Sequence, residues 1–215
     1  MKADGQIVDC DAVNNAELFD AARVSLGTLG VITQIRLQNR APLRLKRRTW
    51  FEPIDDALTA ADSRSRDYRH FEFYYVTFTG MAYCIAHEET AEAETPRKLN
   101  AENEGTEQLM TLRDWLSWAP WLRRMLAQGL IANEETESVV GPAWRVLSTD
   151  RPKRFNEMEY HLPRDALGPC LESVIAALER HGEVYFPVEV RFVDADKAWL
   201  SPFYDRAAAS IAVHM

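Results

Sequence analysis

The 215-residue sequence predicts an α+β fold with a mainly antiparallel sheet. Strand patterns follow one another closely and some are joined by tight turns. Helical patterns fall between them without the regular strand–helix alternation of a parallel doubly wound sheet. The clearest strand pattern is Val184–Val193, and the clearest helical one runs from Pro163 to His181.

From the start of the chain, Gln6 to Asp9 reads as a short strand. Asn14-Asn15-Ala16-Glu17 has the spacing of a capping box, so a helix with Leu18, Ala21 and Ala22 on one face should follow and stop near Gly27. Gly27-Thr28-Leu29-Gly30 forms a tight connection, and Val31 to Leu37 alternates as a strand. Pro42 then punctuates the chain. Leu43 to Phe51 is a basic strand, and Asp55 to Ser65 a helix with Pro53 near its start. His70 to Phe78 and Met81 to His87 form a hairpin across Thr79-Gly80, because β-branched and aromatic residues alternate on both sides of it.

Glu88 to Glu107 is polar, acidic and poor in apolar anchors. It is expected to be the most mobile internal segment. Leu109 to Ala132 is rich in Trp and Leu and should break at Pro120. It reads first as helices that cover the core. A lid or oligomer interface and a membrane-surface helix are the other readings; the last is disfavoured by the acidic Asn133-Glu134-Glu135 that follows. Phe155 to His161 is a strand. In the helix from Pro163 to His181, Leu167, Leu171, Val174, Ile175 and Leu178 recur at three-four spacing, Gly168-Pro169 bends the start, and Gly182 stops it. Ser210 to His214 opens a last strand. The chain begins and ends abruptly, which is the pattern expected of a piece of a longer protein.

Composition excludes several functions. The net charge is −8, and the basic runs Arg44–Arg48 and Lys153-Arg154 are too short to neutralise a phosphate backbone, so nucleic acid is not expected. No apolar run is long enough for a transmembrane segment, and Lys2-Ala3-Asp4-Gly5 after Met1 is no signal sequence. A cytoplasmic protein is expected, with peripheral membrane association left open. Cys10, Cys84 and Cys170 are distant, odd in number and without CxxC spacing. They read as three small buried hydrophobes. The histidines His70, His87, His161, His181 and His214 have no ligand spacing among themselves, so no metal is expected.

Chemistry concentrates on one strand. In Val184-Tyr185-Phe186-Pro187-Val188-Glu189-Val190-Arg191-Phe192 the faces alternate. Val184, Phe186, Val188, Val190 and Phe192 turn into a core, and Glu189 and Arg191 share the opposite, exposed face. One reading is a solvated outer face with a weak ion pair. The other is a pocket wall, where Glu189 binds or deprotonates a hydroxyl and Arg191 holds negative charge.

Three stretches, in order, carry a family resemblance. They are Asn15-Ala16-Glu17-Leu18-Phe19-Asp20-Ala21-Ala22-Arg23-Val24-Ser25-Leu26-Gly27-Thr28-Leu29-Gly30-Val31-Ile32-Thr33; Phe155-Asn156-Glu157-Met158-Glu159-Tyr160 with Pro163 after it; and Phe186-Pro187-Val188-Glu189-Val190-Arg191 followed by Trp199-Leu200-Ser201-Pro202. The sequence resembles the D-arabinono-1,4-lactone oxidase, L-gulonolactone oxidase and alditol oxidase group within the vanillyl-alcohol oxidase superfamily. The resemblance implies residues 1–41 as the C-terminal remnant of a PCMH-type FAD-binding domain. Residues 42–215 would then be an antiparallel-sheet substrate (cap) domain, truncated at its C-terminus.

The resemblance also implies FAD as cofactor. A carbinol carbon of a polyol or sugar lactone gives hydride to flavin N5, and O2 or another acceptor reoxidises the flavin. Glu189 and Arg191 would be the catalytic pair facing the flavin and would bind substrate together with His214. Gly27, Gly30, Val31 and Ile32 would keep a backbone contact to the cofactor. The family's phosphate-cradling loop, and the segment whose histidine is often joined to FAD, precede the part that this sequence resembles. Two alternatives remain open: a non-catalytic remnant that folds without binding flavin, and a related flavin oxidase for another alcohol.

Overall fold

The structure is a computed structural model that describes residues 1–95, 111, 114–116, 118–131, 136–148, 154–181 and 186–214. The chain divides into two compact units. The first is Met1–Ala41 with Val193–Ala208, and the second is Pro42–Phe192 with Ala209–Met215.

The second unit is built on a sheet with strand order β4-β1-β3-β2-β6-β7-β5. Its strands are β1 (Arg44–Pro53), β2 (His70–Val76), β3 (Met81–Glu89), β4 (Glu137–Pro142), β5 (Glu157–Pro163), β6 (Val188–Val193) and β7 (Ala208–His214). The sheet is antiparallel. β2 and β3 pair from His70↔His87 to Val76↔Met81, and β1 runs beside β3 from Leu45↔Glu89 to Pro53↔Met81. β6 joins the other side of β2 with Phe73↔Val190 and Tyr74↔Glu189 in register. The hairpin closes through Phe78 and Gly80, both at positive φ, and the Thr79 hydroxyl donates to the Val76 carbonyl at 2.6 Å. Glycine at position 80 takes that backbone region without the Cβ clash that Phe78 must bear.

One face of the sheet is apolar. Phe71, Phe73, Tyr75, Ala82, Cys84, Ala86, Val188, Val190, Ala209 and Ile211 line it. Against it pack α2 (Ile54–Asp67), through Ala57 and Ala61, and a long C-terminal helix, Leu167–His181. That helix uses the three-four stripe read from the sequence, with Leu167 and Leu171 buried and Val174, Ile175 and Leu178 packed around them. A 3-10 turn at Arg164–Ala166 leads into it. Three cross-strand partners on β1 lie on the same face and include a polar knot. Arg64 of α2 forms a forked ion pair with Glu52, and the Cys84 thiol donates to Glu52 Oε1 at 3.1 Å. Burial alone would raise the Glu52 carboxyl; the Arg64 guanidinium outweighs it and holds the group below the usual carboxylate range. Burial pushes the Cys84 thiol far up, so it packs as a hydrophobe. Cys10 and Cys170 are only half-buried, unlike the expectation for all three.

The first unit departs from its sequence reading. Neither Gln6–Asp9 nor Val31–Leu37 forms a strand. A strand needs a partner for its backbone groups. The alternation at Val31–Leu37 finds none among the described residues, and Ile32, Ile35 and Leu37 stay exposed. Only the Met1–Val31 backbone pair forms there, at 2.8 and 3.0 Å. The capping box also fails. Helix α1 (Ala16–Arg23) starts after Asn15 in the left-handed region, and the Asn15 amide donates to the Asp9 carbonyl instead. The helix ends at Arg23, a turn before Gly27.

The Trp-rich segment is corrected too. Helix α3 (Pro120–Ile131) does begin at Pro120, where the ring suits a first turn. Yet Trp115, Trp118 and Trp121 are 70–78% exposed, so they do not cover the core; among the described side chains there, Ala119, Ala127 and Ile131 are buried. β4 and the short helix α4 (Ala143–Val146) after it had no counterpart in the sequence reading. Numbering the helices in chain order makes Leu167–His181 α5. Of the acidic segment expected to be mobile, Glu88 and Glu89 end β3, and Thr95 exchanges bonds with Val140. Residues 96–107 lie outside the described residues.

Candidate active site

The other face of the same sheet carries most of its buried polar side chains, among buried apolar residues such as Leu45, Ile85 and Ala212. Strand alternation carries Arg47 and Thr49 of β1, His87 of β3, Glu72 and Tyr74 of β2, Glu189 and Arg191 of β6, and Ser210 and His214 of β7 to this side, opposite the apolar core. Among the described residues, six of the eight buried polar side chains lie here: Arg47, Thr49, His87, Glu189, Ser210 and His214. The other two, Thr77 and Thr79, sit at the β2–β3 turn. Burying polar groups without partners is costly, so a sheet face that buries six of them is a candidate site.

Its centre is Glu189. The residue is only 4% exposed, in contrast to the open face expected for it. β6 is flanked on both sides, by β2 and β7, and the neighbouring side chains close over the carboxylate. Glu189 Oε1 lies 3.2 Å from Arg191 Nε. The same guanidinium donates through Nη2 to Glu159 Oε1 at 2.9 Å. Arg191 itself is half-exposed, with 41% of its side chain accessible. Burial opposes its charge, but Glu189, Glu159 and Glu72 outweigh that and raise its pKa. The guanidinium is therefore a permanent positive charge with one edge clamped by carboxylates.

His214 completes the cluster. Its Nε2 lies 3.6 Å from Glu157 Oε1 and 3.9 Å from Glu189 Oε2. Phe155 meets the ring edge-on at 5.1 Å between centroids, and Phe186 lies 6.2 Å away. Phe186 was expected in the core with Val188; it precedes β6, outside the strand alternation, and sits beside His214 instead. Val184 and Tyr185 lie outside the described residues. Further along, His161 Nδ1 and Ser210 Oγ are 2.6 Å apart.

The sequence reading found Glu189, Arg191 and His214, and the structure brings all three together. It passed over Glu157, Glu159, His161 and Ser210. A signal was present: Glu157, Glu159 and His161 fall at period two on a strand, the spacing that puts three polar groups on one face. What sequence spacing could not show is that β5 joins β6 through β7.

Two kinds of ligand can be weighed against these residues. Glu157, Glu189 and His214 place one donor atom each within 4.8 Å, a set that suits a divalent cation. The guanidinium 3.2 Å from Glu189 opposes a second positive charge at that carboxylate. A polyhydroxylated or carbonyl compound fits better, since the carboxylates accept from hydroxyls and the guanidinium donates to an oxygen gaining charge.

Gly27, Gly30, Val31 and Ile32 belong to the first unit. Gly27 and Gly30 both have positive φ. A Cβ on Gly30 would stand 2.3 Å from the Met1 carbonyl oxygen, so the close approach of the chain's own backbone already accounts for glycine there. Space around Gly27 is open, and Val31 and Ile32 are exposed.

Comparison with known proteins bears on this geometry. The chain is 32% identical to an L-gulono-1,4-lactone dehydrogenase of Mycobacterium tuberculosis over 94% of its own length and 49% of that protein. It is 27% identical to the L-gulonolactone oxidase of Mus musculus over all of its own length and 50% of that protein. It thus spans about half the length of the curated relatives it matches. In fold it is similar to a cholesterol oxidase from Brevibacterium sterolicum, with a TM-score of 0.58 at 12% identity, covering 83% of this chain and 43% of the other. Residues 35–215, which include the whole polar face, match the D-arabinono-1,4-lactone oxidase family, and the chain belongs to that family.

Proposed function

We propose that this chain supplies the substrate-binding part of a longer FAD-dependent oxidoreductase that oxidises a carbinol group of a sugar-derived lactone or alditol, with O2 as the electron acceptor. The observation that carries the reading is the pair Glu189–Arg191, 3.2 Å apart on a central strand of a polar sheet face, in a chain of a lactone-oxidase family.

The residues fit an electron-accepting ring. When bound, FAD would take the hydride that leaves the carbinol carbon. Arg191, charged and half-exposed, holds the negative charge that develops at the acceptor or the substrate oxygen. Glu189 accepts the substrate hydroxyl hydrogen bond, and Oε2, the oxygen turned away from Arg191 Nε, takes the proton as the hydride departs. Glu159 keeps the guanidinium in place. His214, beside Glu189 on the same face, binds substrate with it. Gly27, Gly30, Val31 and Ile32 are proposed to touch the cofactor by their backbone.

The test is substrate range. The complete flavoprotein carrying this segment is mixed without air with sugar-derived lactones, alditols and simple primary alcohols, and bleaching of the flavin is followed. Reduction by a lactone or alditol, with hydrogen peroxide formed on admission of O2, is expected. Reduction by simple alcohols alone would overturn the substrate class, and a protein that stays colourless with added FAD would overturn the flavin reading.

A further inference from the structure

Among the described residues, carboxylates outnumber cations around Glu189: Glu72, Glu157, Glu159 and Glu189 lie near one guanidinium, that of Arg191. The guanidinium is taken up by Glu189 Oε1 and Glu159. Glu189 Oε2 faces His214, whose Nε2 also faces Glu157. Side-chain exposure rises along this line from 5% at Glu189 through 10% at His214 to 35% at Glu157. The three groups thus lead from a buried carboxylate to one that meets water.

We propose that His214 and Glu157 form the route by which a proton leaves Glu189 for solvent, an inference that rests on the oxidation proposed above. The step balances. With FAD bound, the carbinol hydrogen would leave as hydride to that acceptor; the substrate O–H bond breaks, its electron pair forms the carbonyl, and the proton goes to Glu189 Oε2. The lone pair on His214 Nε2 takes that proton, giving an imidazolium between two carboxylates. The same Nε2–H then passes to Glu157 Oε1, and water removes it there. Both separations exceed hydrogen-bond length, and a ring shift of about 1 Å toward either oxygen closes it.

Among the described residues, two carboxylates and two phenylalanines face His214. Glu157 comes from β5, with Glu159 beyond it on the Arg191 guanidinium. Glu189 and Arg191 come from β6, and Phe155 and Phe186 cover the ring with no charge of their own. On β7 itself, Ser210 is engaged with His161. No second cation lies between the imidazole and the two carboxylates among these contacts, so an imidazolium formed there meets only opposite charge.

The experiment follows exchange of the His214 ring N–H with water by NMR in the nitrogen-15-labelled 215-residue chain, and then times turnover in the complete flavoprotein. Glu157→Gln is expected to slow that exchange severalfold, because the carboxylate is the route to water, and Glu159→Gln to leave it unchanged. In the complete flavoprotein Glu157→Gln lowers kcat by roughly a hundredfold with KM little changed, the size typical of losing a positioned proton acceptor, whereas His214→Asn lowers kcat similarly and also raises KM, because the ring binds substrate. Exchange at His214 that ignores Glu157, or a flavoprotein that oxidises its lactone at the wild-type rate in both variants, overturns the relay alone. Exchange that depends on Glu157 in a protein that oxidises no lactone or alditol instead overturns the reaction on which the relay depends.

Discussion

Arg191 and Glu159 are bonded at 2.9 Å although a whole strand separates their own: β7 lies between β6 and β5. Alternate strands stand roughly 10 Å apart, so the contact needs two long side chains laid toward each other over the intervening strand. The residues of β7 on that side are Ala208, Ser210, Ala212 and His214, of which the two alanines and the serine are small. The arrangement turns one guanidinium edge to carboxylates and leaves the charge half-exposed at the middle of the polar face.

Glu159 should matter more to orientation than to stability. Its bridge to Arg191 is partly exposed, and water screens it. We expect Glu159→Gln to change the unfolding free energy by less than about 1 kcal/mol in urea titration. A loss well above that would make the bridge a structural strut.

Glu189 is the reverse of a stabilising residue. It is a buried carboxylate with three others nearby and a single guanidinium to share. We expect Glu189→Gln to leave the thermal midpoint unchanged or raise it, as is common where a site keeps a strained charge for function. A clear fall in midpoint would show that the carboxylate holds the sheet together.

The Glu52–Arg64–Cys84 knot should behave in the opposite way. The folded-state pKa of Glu52 is depressed, so its contribution is fully present above the ordinary carboxylate range and lost as pH falls through the folded value. Glu52→Gln should cost about 2 kcal/mol at neutral pH and flatten the acid limb of the stability curve. The measurement is urea unfolding across the acid range; parallel curves for variant and wild type would contradict it. Iodoacetamide should label Cys84 only after unfolding, since its thiol is buried and its pKa raised.

The tryptophans of the α3 region should be dispensable for folding. Trp118 is 78% exposed. Trp118→Ser is expected to shift the unfolding free energy by less than about 0.5 kcal/mol, measured by the same urea titration. A larger loss would restore the core-covering reading.

Much of the sheet was legible because its signals are local. The β2–β3 hairpin is announced by aromatic and β-branched alternation on both sides of Thr79-Gly80, and α5 by its apolar stripe. Val188 and Val190 fall in the core opposite Glu189 and Arg191, as alternation requires. What failed were readings that depend on partners distant in sequence. Val31–Leu37 has strand alternation but, beyond the Met1–Val31 contact, no strand partner among the described residues. Glu137–Pro142 is short, with only Val139 and Val140 to mark it, and becomes a strand because β1 offers an edge. Burial of Glu189 likewise follows from β7 and β5 folding back beside β6. Helical periodicity cannot say which side of α3 meets the core, and the small Ala127 proved to be on it rather than Trp121.

The most direct measurement is the rate of flavin reduction by a saturating sugar lactone in the complete flavoprotein, compared between wild type and Arg191→Ala in a stopped-flow instrument without air. Loss of one preorganised charge facing the developing negative charge should slow reduction about a hundredfold, equivalent to roughly 3 kcal/mol, while the unfolding midpoint stays near wild type. Reduction at the wild-type rate would mean that Glu189 and Arg191 are an ordinary ion pair and that the chemistry lies elsewhere.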